Sequence, residues 1–187
     1  MKVQEIISAA YDLVQKKYEE TETCITYLNM ALGDLTTVAK IYKEYNVSTV
    51  ANETAYNIPA DSYEIIDVLL NNKVLQRLSA ANTYMDGYKL GMNKIILVPA
   101  PPSGSILRVQ YYAKLSEVSS LDDIPDLPVQ FHYLLVLYVV AKLDPNYVAE
   151  YERKKRLFAL DRIWQMEPYN RQLIRKARVL ELLGVQR

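Results

Sequence analysis

The stretch DDIPDLPVQFHYLLVLYVVAKLDP, Asp122 to Pro145, decides how the rest of the chain is read. Between Pro128 and Pro145 an almost unbroken apolar run, Phe131 to Leu143, is interrupted only by His132, the one histidine, and by Lys142. About 13 residues fall short of the roughly 20 that a helix needs to cross a bilayer, so the run is not a membrane span. Asp126 is placed to cap a helix, and Pro128 is tolerated in a first turn where its missing N–H costs nothing. Asp144-Pro145 reads as a cap followed by proline at the first position of the next helix. The run is therefore predicted as a helix apolar all round, which must be buried on every side. Its candidate core residues are Phe131, Leu134, Leu135, Tyr138 and Val139.

Helical periodicity flanks this run at both ends of the chain. Val3, Ile6, Ile7, Ala10, Tyr11, Val14 and Tyr18 recur at the spacing of one helix face, with charged residues between them. Cys24, Tyr27, Leu28, Ala31, Leu35, Val38 and Tyr42 mark a second such face, in which Asn29 and Gly33 each require a packing reason. Beyond Pro145, Tyr147, Val148, Tyr151, Leu157, Phe158, Leu160 and Trp164 trace a third, which Glu167-Pro168 breaks. A last helix is predicted from about Tyr169 to Leu183, stopped by Gly184.

From about Val47 the texture changes to short β-type runs, punctuated by Asn71-Asn72, Asp86-Gly87, Met92-Asn93 and Ser103-Gly104 as hairpin or loop positions. Tyr63 to Leu70 and Ile95 to Val98 are apolar at odd and even positions alike, as in a sheet covered on both faces. The predicted fold class is α+β: a helical bundle built from the N- and C-terminal helices, with a small antiparallel β-sheet or barrel inserted. Within one domain, 1–187, the expected segments are N-terminal helices over 1–46, an inserted β module over 55–116 and C-terminal helices over 127–183.

Composition excludes much chemistry. A chain of 187 residues can bury roughly 70% of its unfolded surface and needs no staples. One cysteine, Cys24, and one histidine leave no material for disulfides, zinc sites or histidine-based triads. The five glycines are too scattered for a phosphate loop. Asp122, Asp123 and Asp126 lie in one loop without the glycine of a calcium loop, so capping is expected of them. Asp61, Glu64 and Asp67 do not share one face of a regular strand. No catalytic, cofactor-binding or metal-binding residue is expected, and no enzyme. The first twenty residues are charged throughout and lack the apolar core of a secretory leader.

The net charge is zero, but it is unevenly placed. From Glu152 onward there are 10 Lys/Arg against 4 Asp/Glu, leaving 12 against 18 in the rest of the 22 and 22. Arg171, Arg175 and Arg178 form a basic stripe opposite Leu173, Ala177 and Leu180, either a solvated face or a docking face. Sixteen tyrosines against two phenylalanines suit surfaces that are wet in one state and covered in another, although a core built on tyrosine would look the same.

Several phrases together resemble one family. They are YLNMAL (27–32), YNIPADSYEIIDVLLNNKVLQRLS (56–79), KIILVPAPPSGSILRVQYYAKL (94–115), DIPDLPVQFHYLLVLYVVAKL (123–143) and YERKKRLFALDRI (151–163), in that order. Across about residues 3 to 165 the chain is similar to the tailed-bacteriophage head–tail connector adaptor proteins, which include podophage tail-tubular or gatekeeper-type rings. The resemblance implies a non-enzymatic virion protein at the neck, assembled from the host cytoplasm, with no cofactor and no membrane partner. It implies a ring of identical subunits, usually twelve. The ring would sit between the portal and the tail or next connector protein, with double-stranded DNA passing through the lumen unbound. It also points to portal docking by the C-terminal segment, with Arg171, Leu173, Ile174, Arg175, Arg178 and Leu180 as the contact residues. A tail-completion or stopper protein of the neck, or a nucleic-acid-binding module using the basic tail, are the alternatives.

Overall fold

A computed structural model describes residues 1–15, 21–79 and 86–165, with the backbone alone for 162–165. The chain is α+β and divides into two compact units, 1–40 with 115–187, and 41–114.

Among the described residues the first unit has four α-helices: α1 (Val3–Val14), α2 (Thr21–Ala39), α3 (His132–Leu143) and α4 (Val148–Gln165). α1 buries Val3, Ile6, Ile7, Ala10 and Tyr11, the face its periodicity marks, while Tyr18 lies outside the described residues. α2 buries Cys24, Leu28, Ala31, Leu32, Leu35, Thr36 and Ala39. α3 packs against α1, α2 and α4, and each fully buried leucine on it contributes about 1.5–3 kcal/mol by leaving water.

The helix within Asp122–Pro145 starts later than the sequence suggests. Phe131 belongs to a 3₁₀ turn, Val129–Phe131, and α3 begins at His132. Asp126 does not cap it; its Oδ2 accepts from Ser116 Oγ at 3.2 Å. At the other end Asp144 Oδ1 accepts from Asn146 N–H at 3.0 Å and Pro145 opens the turn into α4. α3 is not enclosed on every side: Tyr133 is exposed and Leu137 and Ala141 are half-buried, one stripe at i, i+4, i+8.

Among the described residues the second unit has two four-stranded sheets. One has the order β1 (Ile41–Ser48), β8 (Ile106–Ala113), β3 (Ser62–Leu70), β4 (Lys73–Val74); the other β2 (Ala55–Asn57), β7 (Lys94–Val98), β6 (Gly87–Gly91), β5 (Gln76–Arg77). One apolar cluster draws on both, from Tyr56, Tyr88, Ile95 and Leu97 on one sheet and Val68, Leu107, Val109 and Tyr111 on the other. Tyr63–Leu70 is covered unequally on its two sides: Val68 is buried and Ile65 and Leu70 pack on the core, while Tyr63 and Glu64 are exposed and Asp67 and Leu69 are half-buried.

Sequence and structure part company at residue 41. The second helix ends at Ala39, Lys40 takes a left-handed φ of 48°, and Tyr42, expected on the helix face, stands in β1. The alternation of IYKEYNVS fits a strand, and β8 offers it an unbroken partner. The Asn71-Asn72 turn has φ of 49° and 66° and closes the β3–β4 hairpin, as such pairs do. Asn93 (φ 55°) turns β6 into β7. Asp86-Gly87 is no hairpin: Gly87 sits in β6, where a Cβ would lie 2.3 Å from Gln76 O, and β5 pairs with β6 in parallel, not antiparallel.

Candidate interaction surfaces

Among the described residues no group of His, Cys, Asp and Glu is placed to hold a metal ion, and no helix is long and apolar enough to cross a membrane. The chemistry-bearing side chains instead lock the helices together or lie on the outer face of one sheet.

In the helical unit the polar side chains act as clamps. Asn29, in mid-helix, accepts from Val118 N–H at 2.8 Å and donates to Val118 O at 2.9 Å, pairing with that residue as a neighbouring strand would; this is the packing reason its position demanded. Tyr151 donates its hydroxyl to Asp34 and Lys155 its ammonium to the other oxygen of the same carboxylate. Burial and then the Asp34 carboxylate push the Tyr151 phenol far up, so it stays a donor. His132 is fully buried, with Nε2 at 2.7 Å from Leu127 O and Nδ1 at 3.1 Å from the Met1 amino group. Desolvation lowers its pKa, which favours the neutral ring of a structural histidine.

The acidic loop is spent on local bonds. Asp123 accepts from the backbone N–H of Ser119 and Ser120 at 2.7 and 2.9 Å, which brings its carboxyl down to about 2. Asp122 pairs with Lys2 at 2.8 Å. The carbonyls of Leu121 and Asp123 accept from Gln4 and Val3, two of the otherwise orphan donors at the start of α1.

The outer face of the β1–β8–β3 sheet is largely polar, exposed along β1 and closing to a buried Tyr112 on β8. Rows across it read Tyr42–Tyr112–Glu64, Glu44–Gln110–Asp67 and Asn46–Arg108–Leu69. Glu64 and Asp67 were expected on opposite faces; irregularities between Ser62 and Glu64 and between Ile65 and Asp67 shift the register and bring both to one face. Glu44 accepts from the Tyr42 hydroxyl and from Gln110 Nε2 at 2.9 Å, and these bonds, Tyr42 first, hold its carboxyl below the usual range. On the other side of the same sheet Asp61 accepts from Lys43 Nζ at 2.8 Å and Tyr111 hydroxyl at 3.1 Å, and Lys43 chiefly lowers its pKa.

The tyrosines divide between core and surface. Tyr11, Tyr56, Tyr88, Tyr111, Tyr112 and Tyr151 are buried, whereas Tyr42, Tyr45, Tyr63 and Tyr133 are exposed, three of these four on the β1–β8–β3 sheet. The apolar face expected for α4 is narrower than its pattern: Tyr151 and Phe158 are buried, but Val148 and Leu157 face solvent. Of the sequence-predicted core residues, Leu134, Leu135 and Val139 have no exposure, Phe131 meets Phe158 at 4.4 Å with the rings tilted by 53°, and half-buried Tyr138 meets Tyr151 edge-on at 5.1 Å. The docking candidates Arg171, Leu173, Ile174, Arg175, Arg178 and Leu180 lie outside the described residues. The sheet face and β1 were missed because Tyr42 at helical spacing was read with the helix.

A comparison with individually curated proteins finds no match. The sequence profile described as SU10 adaptor protein matches residues 1–176, so it takes in Arg171 and Arg175 and stops short of Arg178 and Leu180. That match spans both compact units, and the chain belongs to the SU10 adaptor protein family, a family of phage structural adaptors.

Proposed function

We propose that this chain forms an adaptor ring at the neck of a tailed phage, joining the portal to the tail or the next connector layer and leaving a lumen for double-stranded DNA. The family match over 1–176 carries the reading. The residues support it in two ways. Exposed tyrosines on the β1–β8–β3 sheet give a surface that stays wet on a free subunit and packs against a neighbour. A net charge of zero suits a conduit that must not grip passing phosphates, because each retained contact adds affinity.

In this reading the segment from Tyr169 to Arg187 docks on the portal, with Arg171, Arg175 and Arg178 meeting acidic or backbone acceptors and Leu173, Ile174 and Leu180 entering apolar grooves. Its motivation is the excess of positive charge from Glu152 onward. The test is to mix the purified chain with the portal protein of the same virus and count subunits on the portal by electron microscopy, beside a chain lacking residues 169–187. A closed ring with the full chain and a folded but unbound truncation is the expected result. Salt-dependent DNA binding by the isolated chain, without portal binding, would replace the reading with a nucleic-acid-binding module.

A further inference from the structure

β1 is a sheet edge whose open backbone groups can be assigned one by one. In an antiparallel ladder, residues whose groups bond one neighbour alternate with residues whose groups point the other way. Thr49 N–H donates to Ser105 O at 2.8 Å, just past the Ser48–Ile106 pair, so the odd residues of β1 bond to β8. Bonds on the far side of β8 agree: Asn71 N–H donates to Ile106 O at 2.9 Å and Lys114 N–H to Asp61 O at 2.7 Å, so its even residues bond toward β3. The N–H and C=O groups of Tyr42, Glu44, Asn46 and Ser48 therefore point off the sheet, and among the described residues they have no partner.

Sheets normally blunt such edges with short strands, bulges, proline or inward charges. The other edges here follow that rule: β2, β4 and β5 have two or three residues, and β3 is irregular at two places. β1 has eight residues in unbroken register and no proline. Its charges are already engaged within the subunit, Lys43 with Asp61 and Glu44 with Tyr42 and Gln110.

An occupant of this edge must be an extended strand, mainly apolar on the face beside Ile41, Tyr45 and Val47, where the Lys43 ammonium is held by Asp61, and mainly polar on the face beside Tyr42, Glu44 and Asn46. β1 is itself such a strand. From this geometry we infer that two copies of the chain pair through β1, antiparallel, about a two-fold axis at Tyr45. That register sets Tyr42 against Ser48 and Glu44 against Asn46, so each outward N–H and C=O meets its complement, and the Glu44 carboxylate faces an amide donor. A shift of two residues sets Glu44 against Glu44 or Asn46 against Asn46 and strands the end groups, and like charges directly opposed are unfavourable. A shift of one residue turns the apolar side chains to the polar face. An isologous contact closes at two subunits, so this pair is a resting form of the free chain that covers its aggregation-prone edge. It goes beyond the adaptor reading and does not depend on it.

The test uses the full chain in sedimentation velocity over a range of concentrations, with residue-resolved amide exchange. The expected result is a concentration-dependent dimer in which the amides of Tyr42, Glu44, Asn46 and Ser48 become protected as the dimer forms. Asn46→Pro removes an outward N–H twice per pair and leaves the backbone bonds to β8 in place, as proline on the open side of an edge does, losing only the exposed side-chain bond from Arg108; it should weaken dimerisation about tenfold or more with the fold unchanged. Tyr45→Lys keeps the backbone whole, sets two ammonium groups across the axis and should act alike. A chain monomeric at every concentration, with those amides unprotected, overturns the inference. So does a dimer indifferent to both substitutions, or protection that appears only when another virion protein supplies the strand.

Discussion

α3 and β1 are both dense in large side chains, and the chain uses them oppositely. In α3, Leu134, Leu135, Val139 and Val140 have no exposure, and three other helices surround them. In β1, every residue from Tyr42 to Asn46 is exposed, although the strand is paired with β8 along its whole length. The difference teaches where energy and recognition are separated. A helix satisfies its own backbone, so it can be walled in by apolar neighbours. An edge strand keeps half its backbone groups for something else, and its side chains stay polar enough to remain wet until that arrives.

The sharpest way to break the comparison is to place a charge in α3. Leu135→Asp buries an unpaired carboxylate and removes a packed leucine, which costs on the order of 4 kcal/mol or more, a large part of any domain's stability. Circular dichroism should show the helices lost at temperatures where the parent is folded. A folded variant that fails only to assemble would mean that α3 faces partners, contrary to its burial. One step down, Tyr151→Phe removes the hydroxyl donated to Asp34. Asp34 keeps Lys155 at its other oxygen and is one-third exposed, so water takes the vacant site. The loss should be about 1–2 kcal/mol in denaturant unfolding.

Gly33 bears on the same helical unit with the opposite sign. It is exposed in mid-helix, and a Cβ there meets nothing within 4 Å. Gly33→Ala should raise stability by about 0.5–1 kcal/mol, read as a higher midpoint in denaturant. No gain would point to a constraint outside the subunit.

How much of this was legible depended on whether local pattern and long-range pairing agreed. α1 was readable from its apolar spacing and α3 from an apolar run bracketed by Pro128 and Pro145, although the cap expected at Asp126 is not made; the Asn71-Asn72 turn was readable because left-handed backbone selects asparagine. β1 was not, because Tyr42, four residues after Val38, extends the helical spacing of α2 by one turn; only the partner strand, Tyr112 against Tyr42, 70 positions on, settles the residue as β. The shared face of Glu64 and Asp67 was hidden for a related reason: a bulge is a property of a strand pair and leaves little trace in one strand's sequence. The clamps of Asn29 and Tyr151 likewise join residues 89 and 117 positions apart.

On the β side, pH offers a smaller effect. Asp61 is held below the usual carboxylate range, chiefly by Lys43. A depressed carboxylate contributes stability above its unfolded pKa and loses it as pH falls through the folded one, so the loss lies in the acid range below about pH 4. Both partners are about two-fifths exposed, so screening keeps the contribution small. Lys43→Met should flatten the acid limb of the β unit's denaturant midpoint against pH by lowering the neutral value slightly, while the acid value, where the pair is already lost, stays unchanged.

The smallest effect on stability should come from a charge in β1, and it completes the contrast with Leu135. Tyr45 is 39% exposed, and its backbone bonds to β8 are indifferent to the side chain. Tyr45→Lys replaces a ring outside the buried cluster with a chain whose charged head stays in water, so folding free energy should move by no more than about 0.5 kcal/mol. A charge in α3 and a charge in β1 then differ by nearly an order of magnitude in stability, while only the second changes how chains associate. A Tyr45→Lys chain as unstable as Leu135→Asp would show that β1 is held by its side chains, and its open edge would lose its standing as a surface free to pair.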